Sequence, residues 1–349
     1  MPDDALYQPD PDRVAALLRT EYGITAQTMA PTARGTETYN YRVESGEGPL
    51  FVKVYPPAAD LDQARRAAAL AHFTARAGLP VPALHPTTDR RLTTDGDPPL
   101  SVWEFVPHTG TAESGFTGTQ WEAAGAALGH LHRVLAAHPD AAPVRQPAYK
   151  ACDFDRGHRR LTATVEGYRA KAASGRPLTE FEAWAQQAAA EKLALLPRIA
   201  PLLDTLPALT VQIVHGDLTT PNLLLDGDDV AAIVDFRPTV ARFAAWELAR
   251  LGADPRSILA TPHWLQGLAR FTAAYRDAHP HGLPEDLTHM IAVGACYTIN
   301  STYPLAEPLR APATVDKRLE TYARARHAAS MTMLRHLEDT RLRMAQPLR

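Results

Sequence analysis

Residues 213–225 read IVHGDLTTPNLLL, and IVDF follows at 233–236. The two stretches set Asp217, Asn222 and Asp235 in one order along the chain. A carboxylate, an amide and a second carboxylate supply what phosphoryl transfer from ATP requires. One group accepts a hydroxyl proton, and two hard oxygen donors hold Mg²⁺ on the phosphates. Short apolar runs precede each stretch, Val211 to Val214 and Ala231 to Val234, and both read as buried strands. Polar residues at strand ends and on the loop between them sit where a rigid frame presents function. Taken singly, Asp217 reads equally as a turn cap, Asp235 as a strand end and Asn222, after Pro221, as a turn residue. Taken together they read as one site.

A cation completes the pattern. The chain carries five lysines against 31 arginines, so a lysine inside an apolar strand stands out. Lys53, in LFVKVY, is that lysine. As a compact charge it would contact the α- and β-phosphates; its bland reading is a snorkelling lysine on an edge strand.

The bulk properties exclude several classes. With 349 residues the chain exceeds one small core and predicts two lobes. A net charge of −3 gives no broad basic field for nucleic acid or anionic lipid. Cys152 and Cys296 are the only cysteines and read as reduced thiols, not a disulfide framework. The opening MPDDALYQPDPD is acidic and proline-rich, unlike a signal peptide, and no apolar run reaches membrane-spanning length. The cytoplasm is the expected compartment. Fourteen histidines show no metal-binding spacing, and His130 and His132, two apart on a helix, point away from each other.

Along the chain, residues 11–22 predict a short amphipathic helix and residues 38–55 a hairpin: TYNYRVE, a turn at SGEG, and PLFVKVY. Asp60 caps a helix running to about Ala77, with Gly78 as its stop. LPVPALHP is extended, and SVWEFVPH at 101–108 reads as a further strand. Beyond Pro107 the pattern turns helical. Trp121, Ala124, Leu128, Leu131 and Leu135 keep helical spacing and read as core. Two long helices flank SGRP at 174–177, and residues 242–252, 262–278 and 285–302 read as helices. A last helix spans Asp316 to Met344, and its arginines, among them Arg318, Arg324, Arg326 and Arg335, read as a solvated face.

HGDLTTPN, IVDF, the strand lysine, the WEFVP linker and the LGHLH helix together resemble the aminoglycoside phosphotransferase and choline/homoserine kinase family. The resemblance covers about residues 30–255. It implies an α+β, two-lobed protein-kinase-like fold, with a small antiparallel-sheet N-lobe and a larger, mainly helical C-lobe. The lobes would be residues 1–106, with the linker at 103–106, and residues 107–349. It implies a kinase using ATP and Mg²⁺, with Asp217 as catalytic base, Asn222 and Asp235 on the metal, and His215 and Gly216 structural at the site. The nucleotide would meet Lys53, the loop residues Gly35, Thr36 and Thr38, and the backbone of Glu104 and Val106. The loop ARGTETYNY has a single glycine and reads nearly as well as a plain β-turn.

Two departures stand out. The family's strand lysine pairs with a glutamate on the next helix, yet the only acids between Lys53 and Gly78 are Asp60 and Asp62. Asp235-Phe236 is followed by Arg237, not glycine. On the acceptor side, Glu247 and Asp254 are the leading acids, with Asp153, Asp155, Glu285, Asp286 and Glu307 behind them. The expected acceptor is a small hydroxylated molecule, first an antibiotic. The alternatives are homoserine, choline or a sugar, or a non-catalytic nucleotide-binding module. A monomer or homodimer acting without nucleic acid or membrane is expected.

Overall fold

The computed structural model describes residues 8–32 and 38–345. They divide into two compact units. The first joins the described residues up to Thr111 with His215–Val240, and the second joins Ala112–Val214 with the described residues from Ala241 on.

The first unit rests on five antiparallel strands, β1 (Ala26–Pro31), β2 (Tyr39–Ser45), β3 (Gly48–Val54), β4 (Leu84–His85) and β5 (Leu100–Glu104). Their order is β1-β2-β3-β5-β4. The expected hairpin is β2–β3, with Tyr39 opposite Val54 and Ser45 opposite Gly48. Alternation sends Tyr41, Val43, Val52 and Val54 to one face, where they pack with Val14, Leu18 and Tyr22 of α1 (Pro11–Tyr22). β3 is the central strand, so Lys53 is not on an edge. α2 (Leu61–Arg76) starts at Asp60, whose carboxylate accepts the Gln63 N–H at 3.0 Å, and ends before Gly78, where φ is +82°.

The same unit holds a second sheet of β6 (Gly110–Thr111), β9 (Leu223–Asp226) and β10 (Asp229–Ile233), with β9 in the middle. The LLL after Asn222 is therefore a strand in its own right, hairpinned to the run before Asp235.

The second unit is mainly helical. It contains α3 (Gln120–Leu135), α4 (Phe154–Ala173), α5 (Glu180–Asp204), α6 (Ala244–Gly252), α7 (Pro255–Ala260), α8 (Trp264–Ala278), α9 (Pro284–Asn300), α10 (Glu307–Arg310), α11 (Lys317–Arg335) and α12 (Leu337–Ala345). A short sheet pairs β8 (Leu209–Ile213) with β7 (Val144–Gln146) on one side and β11 (Ala241–Phe243) on the other. Among the described residues no helix is long and apolar enough to cross a membrane.

Four expectations need correction. The strand expected at 101–108 stops at Glu104: Phe105 still donates its N–H to the Pro49 carbonyl opposite it, but Pro49 has no N–H to give back. Residues 242 and 243, expected to open a helix, end the strand Ala241–Phe243, which pairs with Val211 to Ile213. The last helix is two helices, broken at His336, whose backbone leaves the helical region at φ −111° and ψ 20°. Arg326 does not belong to a solvated face: only 7% of it is exposed, because its side of α11 packs on α9 and α7.

α3 and α8 cross through glycines. A methyl on Gly125 would overlap the Phe271 carbonyl oxygen, and one on Gly129 would stand 2.6 Å from that of Tyr275. Gly125→Ala gains about 1 kcal/mol of helix propensity but overpacks backbone against backbone, at about 1–3 kcal/mol. A net loss of stability is expected in urea denaturation, and a more stable variant would contradict so close a crossing.

Candidate active site

The two motifs identified from sequence meet inside the first unit. Gly216 adopts φ +88°, and a Cβ there would lie 2.9 Å from the Arg237 Cβ, so glycine is needed twice over. The turn it permits brings the chain straight from His215 to Asp217. His215 is fully buried. Its Nε2–H donates to the Val234 carbonyl at 2.9 Å, and its Nδ1 accepts the Asp217 N–H at 3.2 Å. These partners fix one neutral tautomer, because a carbonyl can only accept and an amide N–H can only donate. The imidazole thereby stitches the loop of Asp217 to the strand end before Asp235. It also packs on the Phe236 ring, with centroids 4.2 Å apart.

Further bonds lock the two segments. Arg237 donates its backbone N–H to the His215 carbonyl at 3.0 Å, and Val234 donates to the Asn222 carbonyl at 3.0 Å. The Asn222 amide nitrogen donates to the Asp217 carbonyl at 2.9 Å. That bond identifies the nitrogen and leaves Oδ1, a hard oxygen, as the atom suited to a cation. The donor set fits Mg²⁺: an amide oxygen at 222 and a carboxylate at 235, on segments hydrogen-bonded to each other.

Asp235 itself sits at φ +63°, a left-handed conformation that costs free energy outside glycine. Its Oδ1 accepts from the Lys53 ammonium. The Lys53 charge holds the Asp235 carboxyl below the usual carboxylate range, with smaller help from the hydrogen bond between them and from the Arg237 charge. Lys53 is 19% exposed at its side chain, and its ammonium lies 5.5 Å from the centre of the Trp103 ring.

Asp60 is occupied as the cap of α2, and Asp62 pairs with Arg65 at 3.1 Å. Arg237 places its Nε 3.3 Å from Asp217 Oδ2. Nothing in the sequence marks Trp103 as a neighbour of Lys53. Arg237 was visible as the charged residue where glycine is usual.

On the nucleotide side, Gly35 and Thr36 lie outside the described residues. Thr38 donates its hydroxyl to Asn40 Oδ1 at 2.9 Å. The Glu104 N–H is taken by the Ala83 carbonyl at 2.8 Å, and the Val106 carbonyl meets the His108 ring at 3.0 Å.

In the second unit, Glu247 and Asp254 are both buried and partnered. His132 donates Nε2–H to Glu247 at 3.1 Å and accepts at Nδ1 from the Tyr275 hydroxyl at 2.9 Å. Asp254 is the cap of α7, accepting the Arg256 N–H at 2.9 Å. Of the other acids, Asp153 caps α4, and Asp286 accepts the Thr210 N–H, with burial raising its pKa.

Fold and motifs together define a small-molecule kinase with a protein-kinase-like fold. The chain belongs to the phosphotransferase enzyme family, whose model matches residues 28–283. Similar solved structures include a spectinomycin phosphotransferase in complex with ADP and spectinomycin, at 14% identity and a TM-score of 0.60, covering 94% of this chain and 99% of that one. A microcompartment-associated aminopropanol kinase matches at 20% identity and a TM-score of 0.57, covering 96% and 100%. A macrolide 2'-phosphotransferase from Brachybacterium faecium matches at 17% identity and a TM-score of 0.55, covering 92% and 97%. At these identities the likeness concerns the fold. No curated protein matches the chain.

Proposed function

We propose that the chain is an ATP- and Mg²⁺-dependent O-phosphotransferase acting on a hydroxyl of a small molecule, in the first instance an antibiotic. The carrying observation is the interlocked set Asp217, Asn222, Asp235 and Lys53, gathered in one unit by His215 and the Val234–Asn222 bond. Neighbours of the same fold that act on spectinomycin or a macrolide support the antibiotic reading. A neighbour crystallised with ADP supports an adenine nucleotide as donor.

Asp217 orients the acceptor hydroxyl and takes its proton. We assign that role to Asp217 and not to His215, because the His215 Nδ1 lone pair already accepts an amide. Asn222 and Asp235 would hold the metal, which when bound neutralises phosphate charge. Lys53 would meet the α- and β-phosphates. With its own N–H occupied, Glu104 offers adenine its carbonyl, and Val106 offers its N–H; Gly35, Thr36 and Thr38 would cover the phosphates. Glu247 and Asp254 are not part of the acceptor site we propose.

The test is Mg²⁺-dependent ATP consumption over aminoglycosides, nucleoside and peptide antibiotics, homoserine, choline and sugars. Turnover with one class is expected. Nucleotide binding without turnover on the whole panel would overturn the proposal. Lys53→Ala is expected to raise the KM for ATP about tenfold or more and to lower kcat. An unchanged KM would remove Lys53 from the nucleotide site.

A further inference from the structure

Arg326 is more than nine-tenths buried, yet its Nε has no hydrogen-bond partner and no carboxylate lies within ion-pair distance among the described residues. Among these residues its one side-chain hydrogen bond is a long one, Nη1 to the Tyr322 hydroxyl at 3.4 Å. Tyr322 lies one turn earlier on α11. Having accepted from Arg326, it keeps its own O–H proton to give. The face of the Tyr322 ring carries a second guanidinium, Arg256, 4.6 Å from its centre, and that one is paired with the Asp254 carboxylate at 3.3 Å. Arg326 also lies 6.0 Å from the centre of the Tyr303 ring, and Tyr303 is 46% exposed.

The surroundings add positive charge. Lys192, buried in α5, donates to the carbonyls of Thr298 and Ser301 at 3.0 and 3.1 Å and has no carboxylate partner among the described residues. Burial, and then the Arg326 charge, lower its pKa to about 7. An unpaired guanidinium is strongly disfavoured in a protein interior, and the Arg326 Nε–H is left without an acceptor.

We infer that Arg326 and Tyr322 form a binding site for an oxyanion, the carboxylate or phosphate of a small molecule. The planar guanidinium matches the two oxygens of either group, the Tyr322 hydroxyl adds a third donor, and the tyrosine rings wall the place. All of these residues lie in the helical unit. Binding at this site does not depend on the kinase reading; only the further step, that the oxyanion belongs to the phosphate acceptor, rests on it.

The probes are inorganic phosphate and citrate, titrated at constant ionic strength into the full chain. Thermal shift and calorimetry are run with and without a non-hydrolysable ATP analogue to keep the probe out of the nucleotide site. Wild type is expected to show saturable stabilisation by at least one anion. Arg326→Gln and Tyr322→Phe are each expected to weaken it at least tenfold. Without anion, Arg326→Gln is expected to melt no lower than wild type, since it removes a buried charge that lacks a counterion; a purely structural arginine would lower it. If Arg326→Gln fails to fold, Tyr322→Phe, which keeps the ring, carries the test. No saturable response, or an equal response in wild type and the folded variants, would overturn the inference. With an acceptor in hand, phosphate competing against it assigns the oxyanion to the acceptor. Phosphate altering turnover without competition assigns it to a separate anion.

Discussion

Asp217→Asn is expected to lower kcat by about 10²–10⁴-fold, the span that a positioned general base contributes. Nucleotide affinity should stay near that of wild type, because the phosphates are assigned to other side chains. The substitution is nearly isosteric. The backbone at 217 would keep its N–H on His215 Nδ1 and its carbonyl on the Asn222 amide, so the loop retains its shape. The measurement is steady-state ATP consumption with the acceptor found by screening, beside nucleotide binding by calorimetry. A variant that turns over at more than about a tenth of the wild-type rate would displace Asp217 from the base role.

The second large effect belongs to Asp235. Asp235→Asn removes the carboxylate proposed for the metal and the counterion of Lys53. Turnover is expected to fall by about 10²–10³-fold, equivalent to about 3–4 kcal/mol of lost transition-state stabilisation. The apparent Mg²⁺ requirement should rise at the same time, and a normal Mg²⁺ titration would contradict the assignment. Stability carries a second readout. The folded-state pKa of Asp235 lies below its unfolded value of about 3.9, so the pair with Lys53 contributes fully above that value. Its contribution is lost as pH falls through the depressed folded-state value. The variant should lack this part of the acid dependence in urea denaturation.

Local signals explain what sequence revealed. The hairpin at 39–54, the Asp60 cap and the helix of Trp121 to Leu135 are each written in neighbouring residues, as alternation, a capping acid or a helical stripe. Asp217 and Asn222 are five residues apart, so their meeting is a property of one loop. What was hidden lies in pairings far apart along the chain. Lys53 reaches Asp235 across 182 residues, and His132 reaches Glu247 across 115, so neither acid announces its partner. Short elements such as β11, three residues long, are strands only because a neighbour pairs with them. Arg326 misled for another reason. An arginine among arginines and acids on a helix reads as wet, and only the packing of α9 and α7 on that side makes it dry.

The way the polymer threads between its units constrains how it is made. The first unit needs residues 215–240, which supply β9, the partner of β6, and the loop that holds Lys53 through Asp235. On a ribosome adding about 5–20 residues per second, the opening segment must wait on the order of ten seconds for that return stretch. Until then, its lone lysine waits on the central strand without the acid it pairs with in the finished protein.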